Sequence, residues 1–264
     1  MRPRILLICF VSGQALLGVP ARGAILHVPE DYGAIQSAIV AAAPGDTVLI
    51  QPGTYNEALD FLGKPILVGS LYVTTGDTAW VSQTLVDAHL IAGASVVRFS
   101  TGETRRSRLS GVTITGGSAT WGGGIRCDSS SPTLDHLRVV ANTAAEEGGG
   151  IWAGYGAPLV TACTISGNAA LEFDGGGIFA WDSAIEIDGN EIRGNYAYSR
   201  GAGIYCESSN QTITNNLITD NRIDTATPHY CYGGGIASRN CDPVITGNTI
   251  TGNEGGGYGG GIFY

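Results

Sequence analysis

The apolar positions of the chain recur at a fixed step. An isoleucine behind a run of small residues falls at Ile125, Ile151, Ile178, Ile204, Ile236 and Ile262, at intervals of 26, 27, 26, 32 and 26 residues. Two more aliphatic ladders keep that step: Leu109, Leu134, Val160, Ile187, Ile213, Ile245, and Ile114, Val139, Ile165, Ile192, Ile218, Ile250. A fourth ladder is polar, Asn142, Asn168, Asn195, Asn221, Asn253. Between the ladders the pattern alternates, as in Thr249–Thr251, and no repeat carries a helical period. Each repeat therefore reads as three short strands separated by turns. A unit this small cannot bury its own apolar face, so neighbouring units must stack. Three strands per unit, wound in one direction, form a coil whose successive turns pair in parallel about 4.8 Å apart. Each coil points three aliphatic side chains inward, each worth roughly 1.5–3 kcal/mol when fully buried. The predicted fold is all-β, a parallel β-helix built as a single-stranded solenoid.

The beginning departs from this pattern. In GAIQSAIVAAAPGD, Ile35, Ala38, Ile39 and Ala42 share one face of a short helix that Pro44-Gly45 stops. Such a helix is expected to cap the open end of the stack. The stretches TVLIQPGTY, KPILVGS, QTLVDA and ASVVRFS then read as irregular early coils. Residues 24–50 make the cap and first strand, and residues 51–264 the coils. The sequence stops at Tyr264 inside a repeat and is read as a fragment of a longer protein.

Glycine and asparagine are assigned to corners. Glycine takes positive φ freely and lets backbones approach. Asparagine tolerates the left-handed region, and stacked amides can bond along a ladder. A phosphate-cradling loop needs a helix after the glycines, and no helical pattern follows any copy.

Charge narrows the partners. Residues 1–23, with Arg2, Arg4, an apolar run and small residues before Ala24, read as a secretory signal. Without them the chain has 11 Lys/Arg against 23 Asp/Glu. That balance disfavours nucleic acid and anionic membranes, and no later segment is long and apolar enough to span a bilayer. Of the remaining cysteines, Cys127, Cys163 and Cys206 read as small structural side chains. The odd count of five gives no disulfide framework; a bond from Cys231 to Cys241 or Cys206 is one alternative, and metal binding by His229, Cys231 and Cys241 a weaker one.

VPEDYGAIQSAIVAAAPGDTVLIQPGTYNEAL, GKPILVGS and the GGGI…SPTL…TISGN repeats resemble exported bacterial right-handed parallel β-helix proteins of the pectin-lyase-like superfamily. The resemblance implies a right-handed coil and a place outside the cell or on its surface. It implies no single activity, because the group includes lyases, hydrolases, esterases and adhesins. Gly53-Thr54-Tyr55-Asn56-Glu57 matches the G-x-Y-x-E motif of pectin methylesterases, without the motifs that carry their chemistry. The signatures of polygalacturonases and pectate lyases have no counterpart.

Alternation along a strand selects the candidate site. Residues one and three after the inward isoleucines point outward, which places Trp152, Phe179, Trp181 and Tyr205 in an exposed aromatic patch suited to sugar rings. The expected ligand is an extracellular polysaccharide or surface glycan. Glu147 and Asp174 are expected about 5 Å apart on successive coils, near the separation used by retaining glycosidases. With Glu207 they form an alternative catalytic set for a polysaccharide lyase or glycoside hydrolase, or ligands for Ca2+. A structural stalk or adhesin segment is the third reading. No cofactor is expected otherwise.

Overall fold

The computed structural model describes residues 23–224 and 232–264. The chain forms four parallel sheets of nine, eight, eight and five strands. The three aliphatic ladders pair in the expected register. Ile125 partners Ile151, which partners Ile178, Ile204, Ile236 and Ile262 in turn. The other two pair as Leu134 on Val160 on Ile187 and as Val139 on Ile165 on Ile192. Their side chains fill one continuous core, where Ile125, Leu134, Val139, Ile151 and Ile178 are fully buried.

A fourth strand per coil corrects the three-strand expectation. Ser118–Trp121, Thr143–Glu147, Ala169–Ala170, Tyr196–Ala197 and Arg222–Ile223 form the five-stranded sheet. Its buried ladder, packed apart from the interior core, is Ala144, Ala170, Ala197 and Ile223. Alanine lines this side because the wall closes on the backbone of the glycine corner, where a Cβ at Gly149 would lie 2.4 Å from the Ala169 carbonyl oxygen. Small buried residues leave no aliphatic pattern to read.

The asparagine ladder runs through buried space. Asn195 donates from Nδ2 to the Ile165 carbonyl at 3.0 Å and to Asn221 Oδ1 at 2.9 Å. Its Oδ1 accepts from the backbone N–H and the Nδ2 of Asn168, both at 3.0 Å. The amides thus satisfy corner backbone groups that no strand reaches. They are not left-handed, which corrects that part of the expectation. The residue before each supplies the positive φ, as at Ala141 (54°) and Asp220 (55°). Cys163 heads a second such ladder, its N–H bonded to Asn190 Oδ1 at 2.9 Å.

The helix Ile35–Ala41 lies where the pattern put it and packs on the strands Ile25–Val28, Thr47–Ile50 and Leu59–Asp60. Both of its ends are tied down. The Glu57 carboxylate accepts from the N–H groups of Ile35 and Gln36 at 2.8 and 2.9 Å. Lys64, the single lysine, donates to the carbonyls of Ile39, Val40 and Ala42 at 2.6–2.9 Å. Opposite charges thus sit at the two orphaned ends of the helix. This gives Glu57 of the G-x-Y-x-E match a structural task. Two short helices the sequence did not announce, Tyr72–Thr75 and Ala79–Gln83, follow the strand Leu67–Ser70.

Candidate functional site: an aromatic and acidic trough

The strand Ile151–Gly154 buries Ile151 and Ala153 in the core and turns Trp152 to the other face. Its register carries Arg126, Trp152, Phe179, Tyr205 and Ala237 up that outer face. Trp152, Phe179, Tyr205 and Ala237 form a second apolar cluster, separate from the interior. The outward direction is as expected, but the exposure is not. Trp152, Phe179 and Tyr205 retain 4, 3 and 0 % of their surface, against 40 % for Trp181.

The corner before the glycines explains the difference. Glu147, Asp174 and Arg200 each stand four residues ahead of the inward isoleucine and fold over the aromatic row. The Arg200 guanidinium lies 4.7 Å from the Tyr205 ring centre, and the Trp152 indole N–H donates to Glu147 Oε2 at 3.4 Å. Phe179 and Tyr205 stack at 5.4 Å. The row is therefore the floor of a trough and not its rim.

Over this floor lies a groove of about 520 Å³. Trp152, Phe179, Trp181, Glu147 and Glu207 line it, so five of the seven candidates meet there. Tyr205 instead lines the neighbouring hollow, with Arg200 and Arg239. The groove also takes five residues that the sequence reading did not assign to a site: Trp121, Arg126, Asp128, Glu146 and Tyr155. Trp121 arrives from the fourth strand, in register with Glu147, and its indole donates to Glu146 Oε2 at 2.9 Å. The Arg126 guanidinium sits 5.2 and 5.4 Å from the Trp121 and Trp152 ring centres and donates to Asp128 at 2.8 Å. The Tyr155 ring lies 5.1 Å from Trp181. Trp121, Tyr155 and Trp181 are the rings that face solvent.

Tyr155 carried a signal in the sequence. Its register position is Ser129, Asp182, Ser208 and Asn240 on other coils, and all of these have φ between 46° and 62°. A tyrosine at φ 58° is an outlier for a bulky residue, in a place where the turn favours small polar side chains.

The acids divide by environment. Burial, reinforced by Asp174, Glu146 and Glu207, pushes the Glu147 carboxyl up to about 7 against the pull of the Trp152 hydrogen bond. Burial also raises Asp174, to about 6, opposed by Arg200. Asp174 is held in an ion pair, however. Its carboxylate is 3 % exposed and receives both Nε and Nη2 of Arg200, at 3.1 and 2.7 Å. Though the two residues sit on successive coils as expected, Asp174 does not line the groove. The Arg200 position of the next coil thus engages the second acid of the Glu147–Asp174 pair. Glu207 accepts from the Tyr205 hydroxyl at 3.1 Å and lies 3.6 Å from Arg239.

Among the described residues no group of three or more His, Cys, Asp or Glu side chains is placed to hold a metal ion. Among the described residues, Cys127, Cys163, Cys206 and Cys241 form no disulfide with one another. Residues 1–22, within the segment expected to be a secretory signal, and His229 and Cys231 of the insertion lie outside the described residues. Among the described residues no helix is long and apolar enough to cross a membrane.

A family model described as right handed beta helix region matches residues 92–264. No curated protein matches the chain.

Proposed function

The chain belongs to the right-handed β-helix family, and on that premise we propose that it is an exported protein that binds a carbohydrate chain along the outer trough. The carrying observation is the groove itself, with Trp121, Tyr155 and Trp181 facing solvent above an aromatic floor and four carboxylates beside them. Flat rings suit the apolar faces of sugars, and carboxylates accept from hydroxyl groups. Export rests on the leader-like residues 1–23. Titration of a glycan panel against the protein and its Trp121→Ala/Trp181→Ala double variant tests the binding. Two lost ring contacts at about 0.5–1.5 kcal/mol each predict weakening of roughly 5- to 150-fold. Unchanged binding in the double variant, or no binding of any glycan, contradicts the reading.

One observation favours a second reading, glycan cleavage. A carboxyl held protonated to about pH 7 is a general acid at neutral pH, and Glu147 lines the groove together with Glu207. Release of reducing ends or of an ultraviolet-absorbing unsaturated product, abolished in Glu147→Gln, supports it. Neither product from glycans that bind contradicts it.

A further inference from the structure

The groove's charge differs from what its aromatic lining alone requires. Four carboxylates, Asp128, Glu146, Glu147 and Glu207, line it against one cation, Arg126. Arg126 is already engaged by Asp128 and by the faces of Trp121 and Trp152. Glu146 and Glu147 each use one oxygen on an indole N–H, and among the described residues the other accepts no protein hydrogen bond. Two carboxylate oxygens are thus left beside Trp121 and Trp152 with no donor. Tryptophan faces attract cations, and anions nearby strengthen the attraction. An anionic polymer meets the opposite field.

We infer that the ligand class of the trough is a glycan bearing free amines, a polymer of 2-amino-2-deoxyhexose, held by Glu146 and Glu207 on its ammonium groups and by Trp121 and Trp181 on its rings. This rests on the carbohydrate reading above and narrows it. A neutral sugar satisfies the rings but leaves Glu146, which has no ion pair among the described residues, without a charge partner. A uronic acid polymer brings like charge to them. A lysine-rich peptide supplies the charge but no rigid ring to lie against Trp121, Tyr155 and Trp181, which present about 36, 51 and 40 % of their surface.

The test titrates the full chain, followed by tryptophan fluorescence and calorimetry, with four hexamers: glucosamine, N-acetylglucosamine, galacturonate and lysine. The glucosamine hexamer is expected to bind at least about tenfold tighter than its acetylated counterpart, from ion pairing and cation–π contact of modest individual size. That preference is expected to disappear in 0.5 M salt (an ionic strength chosen to shorten the screening length to roughly 4–5 Å) and in Glu146→Gln/Glu207→Gln. Equal binding of the two glucosamine hexamers, or tighter binding of galacturonate, overturns the amine inference and leaves glycan binding standing. Lysine hexamer binding as tightly as glucosamine overturns it in favour of a peptide. Binding of none of the four, while a neutral glycan binds, overturns it too. A protein that binds no glycan at all removes the carbohydrate reading beneath it.

Discussion

Glu147→Gln gives the sharpest test of the trough's electrostatics. The side chain lies half-buried between Trp152, Asp174 and Glu146, and its carboxyl is raised from 4.5 to about 7. Each pKa unit between folded and unfolded states is worth about 1.4 kcal/mol. The full difference would be roughly 3 kcal/mol, and partial contact with solvent reduces it to about 1–2 kcal/mol. The sign follows from proton counts. Between about pH 4.5 and 7 the folded chain holds a proton on Glu147 that the unfolded chain has lost, so stability falls as pH rises through that window. Glutamine keeps the shape and the acceptor for the Trp152 indole but has no proton to lose. Denaturant titrations should therefore find the variant close to the parent at pH 4.5 and about 1–2 kcal/mol more stable at pH 8. Asp174 is raised mainly by its own burial, which the substitution leaves in place, so the difference reports Glu147 together with its coupling to Asp174. A variant that gains nothing between pH 4.5 and 8, or a Glu147 carboxyl that titrates near 4.5 by NMR, refutes the burial reasoning.

Three further outcomes follow. Asn195→Ala strips partners from four buried groups, on Ile165, Asn168 and Asn221. At about 1 kcal/mol or more each, it should cost about 3–5 kcal/mol in denaturant unfolding; a loss under about 1 kcal/mol contradicts the ladder's role. Tyr155→Asn relieves a left-handed tyrosine and should raise stability by about 0.5–1 kcal/mol while weakening glycan binding. A stabilised variant that binds as well as the parent removes Tyr155 from the site. Burial raises the thiols of Cys127, Cys163 and Cys206 well above their ordinary range, Cys163 to about 12. A thiol reagent at pH 8 should therefore label the native protein at half-exposed Cys241 and reach these three on unfolding. Native labelling of Cys127 or Cys206 contradicts their inward placement.

The coil stack could be read from the sequence because inward isoleucines recur at nearly the same interval and every one of them must meet its neighbour. The fourth wall could not, since Ala144, Ala170 and Ala197 are buried yet too small to leave a hydrophobic signature. The left-handed corners were assigned one residue late, to asparagines whose amides instead bridge the coils. Period-two alternation placed Trp152, Phe179 and Tyr205 on the outer face but cannot tell an open face from a roofed one. The roof comes from Glu147, Asp174 and Arg200, and whether a side chain at a corner folds back depends on turn geometry that composition does not encode. Asp174 shows the same limit. Its spacing from Glu147 could be counted, whereas its capture by Arg200 on the next coil could not. Tyr155 is the opposite case, a residue whose oddity within its own repeat column is visible in the sequence.

A crystal structure with the tightest-binding oligosaccharide soaked in tests the trough most directly. Sugar rings are expected against Trp121 and Trp181, with ring substituents within hydrogen-bond distance of Glu146 or Glu207. Rings bound on another face of the coil, with this groove left to solvent, would show that the aromatic and acidic trough is not where the protein works.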